Sequence, residues 1–261
     1  MLTALKSHWP EYLMESAGLA TFMVSACLFT ALLEHPTSPA RQAIPTPLMR
    51  RFLMGLAMGL TAIGIIYSPW GKQSGAHINP AVTLTFLRLG KVYAWDAFFY
   101  VVAQFAGAIG GILLAAAILR PWIADAHVNY VVTAPGLGGV GVAFFAEFLI
   151  SFGLMSVVLI ASNTDQMARF TGVFAGLLVA TYITLEAPLS GMSMNPARTF
   201  GSAIGARSWE FLWIYFTAPP LGMLLAASMY RKVWGLRGVI CAKLHHHNDK
   251  RCIFRCGYRK A

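Results

Sequence analysis

The tripeptide Asn-Pro-Ala occurs twice, at Asn79-Pro80-Ala81 and Asn195-Pro196-Ala197, each time after a Gly/Ser stretch and before a short apolar run. Proline suits the first turn of a helix, where its missing N–H would go unpaired anyway, and asparagine before it is a favoured N-cap. Each tripeptide therefore reads as a helix start. The runs that follow, 81 to about 89 and 197 to about 204, rise about 15 Å, half of a hydrocarbon core about 30 Å thick. Two such half-helices can meet at the centre of a bilayer.

The rest of the chain supplies the bilayer-spanning context. Of 261 residues 57% are hydrophobic and 11% charged, which leaves little polar sequence to cover a soluble globule. Six apolar segments are long enough to span: 11–33, 51–68, 94–119, 140–162, 170–188 and 211–230. The fold class expected is an all-α membrane protein of six transmembrane helices plus two re-entrant half-helices. The first segment does not read as a cleavable signal peptide, because no basic start and small-residue cleavage site frame it.

The formal charge of +10 is a property of the end of the sequence. Residues 231–261 hold nine Lys/Arg (Arg231, Lys232, Arg237, Lys243, Lys250, Arg251, Arg255, Arg259 and Lys260) against Asp249, which leaves +2 for everything before them. A basic segment directly after a last span reports a cytoplasmic end under the positive-inside rule and attracts anionic lipid headgroups. No nucleic-acid partner is expected.

An internal repeat divides the chain into a short N-terminus (1–10), a channel-like domain (11–230; repeat one about 11–119, repeat two about 140–230) and the tail (231–261). Glu15 in the first span and Glu147 in the fourth are each followed, after one further span, by an Asn-Pro-Ala loop. Three spans per half is an odd number, so the second half enters from the opposite face and the repeat is inverted. Non-helical backbone at membrane depth must be buried in protein or line a wet cavity, so loops 71–78 and 189–194 imply a cavity between the halves.

At this point the chain resembles the aquaporin or major intrinsic protein family. The segments that carry the resemblance are Ser74-Gly75-Ala76-His77-Ile78-Asn79-Pro80-Ala81-Val82-Thr83 and Ser190-Gly191-Met192-Ser193-Met194-Asn195-Pro196-Ala197-Arg198, with Gln104, Gly107, Pro219 and Gly222 in the third and sixth spans. The resemblance implies a multi-pass protein of the plasma (inner) membrane with both termini cytoplasmic, assembled as a homotetramer and passing water and small neutral solutes. The two asparagines would cap their own helices and leave amide N–H groups free for a solute oxygen. The converging positive helix ends would disfavour cations and break proton hopping along a water file.

Residue roles follow from the same resemblance. Glu15 and Glu147 would brace the re-entrant loops. Arg198 would be the filter cation, with Met58 or Gly59, Ile183 and Met192 completing an unusually apolar constriction. His77 would be a vestibule histidine, either structural or a pH-responsive gate. Thr199, where glycerol channels usually carry an aspartate, together with Ala203, Tyr215 and Phe216, favours water over glycerol. The alternatives are a facilitator for glycerol or another small neutral solute with poor water conduction, and an inverted-repeat secondary transporter. No nucleophile or acid/base constellation sits in a soluble pocket, so an enzyme is not expected.

The tail carries a second pattern. Cys241, Cys252 and Cys256 cluster with His245, His246 and His247. With His245 as the fourth donor, Cys241, Cys252 and Cys256 would suit a structural zinc site; otherwise they are reduced thiols on a disordered basic segment. No other cofactor is expected.

Overall fold

The computed structural model describes residues 1–235 and 238–258. Arg237, Arg259 and Lys260 of the basic set lie outside the described residues. In chain order the helices are α1 (Leu2–Glu34), α2 (Pro39–Ala43), α3 (Pro47–Tyr67), α4 (Pro69–Ser74), α5 (Pro80–Arg88), α6 (Ala94–Leu119), α7 (Gly139–Ser162), α8 (Asp165–Ala168), α9 (Thr171–Leu185), α10 (Ala187–Ser190), α11 (Pro196–Ala206) and α12 (Leu212–Trp234). Among the described residues there is no strand. Five helices, α1, α3, α6, α7 and α12, are long and apolar enough to cross a membrane.

The fifth expected span, 170–188, is not one helix. It is the 15-residue α9 followed by α10, with the chain breaking at Glu186 between them. At about 1.5 Å per residue, α9 rises about 22 Å, less than the hydrocarbon thickness of about 30 Å. Pro188 sits one residue into α10, where its missing N–H costs nothing.

The inverted repeat appears as matched packing. Helix α1 packs along α6 in the first half and α7 along α12 in the second, while α3 and α9 pack on each other across the halves. The same device permits both intra-half contacts. A Cβ on Gly107 would come 2.2 Å from the Ser16 carbonyl oxygen, and one on Gly222 would come 2.3 Å from that of Phe148, so only glycine lets these backbones touch. The two half-helices α5 and α11 start at the asparagines and meet between the halves.

Large apolar side chains face outward along the long helices, among them Leu60, Leu113, Leu114, Phe145, Leu149 and Leu221. Exposed tryptophans gather near helix ends: Trp9, Trp70, Trp95, Trp209, Trp213 and Trp234. An apolar girdle bounded by tryptophan is the surface that lipid selects. The protein is a multi-pass membrane protein.

Candidate functional site

The re-entrant loops share one bonding plan. Each begins with a helical turn, α4 or α10, stopped by a glycine in the left-handed region, Gly75 (φ 96°) or Gly191 (φ 79°). Positive φ then recurs at Ala76 and Ile78 in the first loop and at Met192 and Met194 in the second. This backbone turns its N–H groups to one side, where a carboxylate collects them. Glu15 Oε1 accepts from Ser74 Oγ (2.8 Å) and His77 N (3.0 Å), and its Oε2 accepts from Ile78 N (2.6 Å) and Gln104 Nε2 (2.8 Å). Glu147 Oε1 accepts from Ser190 Oγ (2.8 Å) and Ser193 N (2.6 Å), and its Oε2 from Met194 N (2.7 Å). Both carboxylates are fully buried, which such charge-assisted bonds make tolerable.

Two tyrosines complete the scaffold. The Tyr100 hydroxyl donates to Ser74 O at 2.6 Å and the Tyr215 hydroxyl to Ser190 O at 2.5 Å. Thr83 and Thr199 fill matching places, against His77 Nδ1 (3.1 Å) and Ser193 Oγ (2.5 Å). Sequence reasoning missed Tyr100, Thr83 and Thr199 as scaffold residues. The signal for Tyr100 was its place one helical turn before Gln104, and for the threonines their equal spacing of four from Asn79 and Asn195.

Asn79 Oδ1 accepts from Ala81 N at 2.8 Å, and Asn195 Oδ1 accepts from Ala197 N (3.1 Å) and Arg198 N (3.3 Å), so each caps its own half-helix. Pro80 and Pro196 occupy the first helical position, and Ala81 and Ala197 are fully buried behind them. The amides are only partly free, which corrects the expectation. Asn79 Nδ2 donates to Met194 O (2.7 Å) and Asn195 Nδ2 donates to Ile78 O (2.8 Å). An amide has two N–H donors, so one of each pair is spent tying the opposite loop and one is left for the lumen.

The lumen has two chambers. A cavity of about 90 Å³ is lined by Asn79, Asn195, His77, Phe22, Val158 and Leu244. A second, of about 280 Å³, is lined by Arg198, Met192, Ile183, Met58, Met54 and Phe22. Phe22, Val179, Ser193 and Met194 border both, so the neck between them lies beside the second loop. Arg198 Nη1 has no hydrogen-bond partner among the described residues. Its guanidinium keeps a spare buried donor beside Met58, Ile183 and Met192, in a chamber that Glu34, Arg51 and His127 also line.

Met58 and Gly59 stand in different surroundings. Met58 lines the larger chamber, whereas a Cβ on Gly59 would lie 2.5 Å from the Gly176 carbonyl oxygen, in the α3–α9 contact. Gly59 is a packing residue of that contact. Phe22 and Met54 were not singled out in the sequence; Met54 stands one turn before Met58 on the same face.

His77 is not in an open vestibule. It is buried, stacked between Phe86 (centroids 5.2 Å apart) and Phe254 (5.4 Å), and its Nε2 lies 2.8 Å from Ala242 O. Since a carbonyl only accepts, Nε2 carries the proton. Phe254 and Ala242 belong to the tail, whose described residues 238–258 are folded, not disordered. They pass over the mouth next to the Asn79 chamber with little regular secondary structure and bury Val239, Cys241, Ala242, Leu244, Ile253 and Phe254. Burial also pushes the Lys243 ammonium below its ordinary value.

Of the tail donors, Cys241, Cys252 and Cys256 come together, but with His246 in place of the expected His245. His245 turns away to an edge-on contact with Tyr67, ring centroids 4.9 Å apart.

Comparison with known proteins accords with this architecture. Residues 4–230 match the family described as Major intrinsic protein. The chain belongs to that family. The family is one of channels, not enzymes. The chain is 38% identical over 189 residues to the glycerol uptake facilitator protein-like 6 of Lactiplantibacillus plantarum, covering 67% of this chain and 81% of that one. It is 39% identical over 187 residues to the probable aquaporin AqpM of Archaeoglobus fulgidus (69% and 75%), and 37% identical over 171 residues to aquaporin NIP6-1 of Arabidopsis thaliana (65% and 54%). The match thus spans about half the length of the Arabidopsis protein. In fold it is similar to the aquaglyceroporin from Plasmodium falciparum, with a TM-score of 0.74 at 21% identity, covering 87% of this chain and 97% of that one.

Proposed function

We propose that the protein is a passive channel for water and, more slowly, small neutral solutes. The single observation that carries this reading is the pair of asparagine-capped half-helices whose amides face one lumen from opposite halves. A solute oxygen between them meets two donors and two positive helix ends, so a water there is oriented outward on both sides and cannot relay a proton. Arg198 adds a second positive barrier and a spare donor in the larger chamber. Met58, Ile183 and Met192 offer no polar partner, which supports modest unit permeability. Thr199, buried against Ser193 and Thr133, stands where glycerol channels usually carry an aspartate and favours water over glycerol.

The protein sits in the plasma (inner) membrane with both termini cytoplasmic, an orientation supported by the basic tail beyond α12. Its apolar outer faces suit both lipid and a homotetramer.

Stopped-flow light scattering on proteoliposomes tests the reading. Because the tail covers one mouth, the full chain is compared with a Leu244→Gly, Phe254→Ser variant whose tail loses two apolar anchors. At least one form shrinks faster than empty vesicles under an osmotic gradient and leaks no protons. If neither does, the chain is not a water channel.

A further inference from the structure

The tail-side mouth of the lumen is closed by a segment that nothing above requires. Residues 238–258 are tied to elements all round that mouth. Ile240 N donates to Asn163 Oδ1 (2.6 Å) and the Tyr258 hydroxyl to Ser162 O (3.1 Å), both at the end of α7. Arg255 N donates to Lys91 O (2.9 Å) beyond α5, and the Arg251 guanidinium grips Glu11 on α1 at 2.6 and 2.5 Å. In the middle, Leu244 N donates to Gly75 O (3.2 Å), and the Leu244 side chain lines the chamber that holds both asparagines. The segment is a bung seated on the first re-entrant loop.

Such a segment needs a fastener. Ordering a residue costs about 1–2 kcal/mol of backbone entropy, and here few backbone ladders offset it. Four donor atoms supply the means. Cys241 Sγ and Cys252 Sγ lie 3.6 Å apart, Cys256 Sγ and His246 Nε2 3.0 Å apart, and all four ligand atoms fall within 4.8 Å of one another. A tetrahedron of Zn–S bonds near 2.3 Å has edges of about 3.8 Å, so small adjustments suffice to seat an ion. Three thiolates and one imidazole make a soft, closed, four-coordinate set of the type found in structural zinc sites. Charge accords as well. Zinc with three thiolates carries a net −1, and the nearby Lys243 ammonium is buried and, among the described residues, donates to the carbonyls of Lys250 (3.1 Å) and Arg251 (2.7 Å). A buried cation held by neutral carbonyls calls for a neighbouring negative centre.

We propose that Cys241, His246, Cys252 and Cys256 bind a zinc ion that clasps residues 238–258 over the tail-side mouth of the pore, so that metal occupancy closes the channel. The gating half rests on the channel reading above; the metal half does not. Binding displaces three thiol protons to solvent, and removal of the ion leaves the segment held by its buried apolar anchors, a few hydrogen bonds and the Arg251–Glu11 pair alone.

The test uses the full chain, purified without a polyhistidine tag or chelator. Elemental analysis gives one zinc per chain. The Cys252→Ser, Cys256→Ser and His246→Ala variants lose it, whereas His245→Ala retains it. Replacement by cobalt(II) yields the visible spectrum of a tetrahedral thiolate complex. In proteoliposomes a membrane-permeant chelator raises water permeability severalfold, added zinc reverses the rise, and the cysteine variants stay fast in both conditions. Absence of zinc together with no cobalt spectrum, or a Cys241–Cys252 disulfide in the isolated protein, overturns the site. Bound zinc with equal flux before and after chelation overturns the gate. Bound zinc with no flux in any form, including Leu244→Gly, Phe254→Ser, refutes the channel reading and leaves the metal site standing.

Discussion

Glu15 and Asn195 hold opposite ends of the same residue. The N–H of Ile78 donates to Glu15 Oε2 at 2.6 Å, while its carbonyl accepts from Asn195 Nδ2 at 2.8 Å. The mirror arrangement runs from Glu147 through Met194 to Asn79. Each carboxylate brace of one half therefore fixes the height of the pore asparagine contributed by the other. Replacing Glu15 or Glu147 with alanine strands several buried N–H groups, each unpaired donor costing about 1–3 kcal/mol. We expect a marked drop in thermal midpoint in detergent and loss of water flux for either variant. A fully active Glu147→Ala protein would show that the loops need no brace.

Arg198 lines the larger chamber beside Met58, Ile183 and Met192, and its Nη1 has no protein partner among the described residues. Arg198→Val removes both the positive barrier and the donor. Urea and glycerol permeation should rise relative to water, with cation leakage measurable by a fluorescent ion indicator. An unchanged solute profile would place the filter at the neck beside Phe22 and Val179.

The wall opposite offers the reverse experiment. Ile183 lines the Arg198 chamber from α9. In Ile183→His an imidazole supplies a donor or acceptor that isoleucine lacks, so glycerol and urea should be excluded more strictly while water continues to pass. The ratio of water to glycerol permeability, read in the same vesicle preparation, is the measurement. A ratio equal to that of the parent chain means residue 183 does not meet the permeant.

Much of this was legible before any coordinates, for a physical reason. Caps, prolines and apolar runs are local signals, so the two half-helices at Asn79 and Asn195 and five of the six spans could be read directly. The fifth span misled because the apolar run resumes at Ala187 and Pro188 after the single acid Glu186, whereas the helix stops at Leu185. Residues that act by pairing were less visible. Tyr100 and Tyr215 look like ordinary apolar-face aromatics until their hydroxyls are placed on Ser74 and Ser190. The tail was the hardest part, since its basic residues dominate the composition and its buried anchors, Leu244, Ile253 and Phe254, fall at no regular period. His246 could not be told from His245 either, because adjacent side chains on irregular backbone point in directions that spacing does not specify.

Met58 and Gly59 are neighbours with opposite duties, which makes them a direct test of how the pore wall is built. Met58 is buried and faces the Arg198 chamber, while Gly59 meets Gly176 of α9 so closely that an added Cβ would stand 2.5 Å from a carbonyl oxygen. Met58→Ala should enlarge the chamber and raise glycerol flux, at a cavity cost of about 2–5 kcal/mol typical of a buried methionine. Gly59→Val should act elsewhere, since forcing helices apart costs about 1–3 kcal/mol or more of overpacking and acts on the fold and not on the lumen. The discriminating readout is the ratio of glycerol to water permeability in whatever folded protein each variant yields. That ratio rises for Met58→Ala and stays at the parent value for Gly59→Val, whose deficit appears as a lowered thermal midpoint. A shifted ratio in Gly59→Val with an unchanged midpoint would exchange the two assignments.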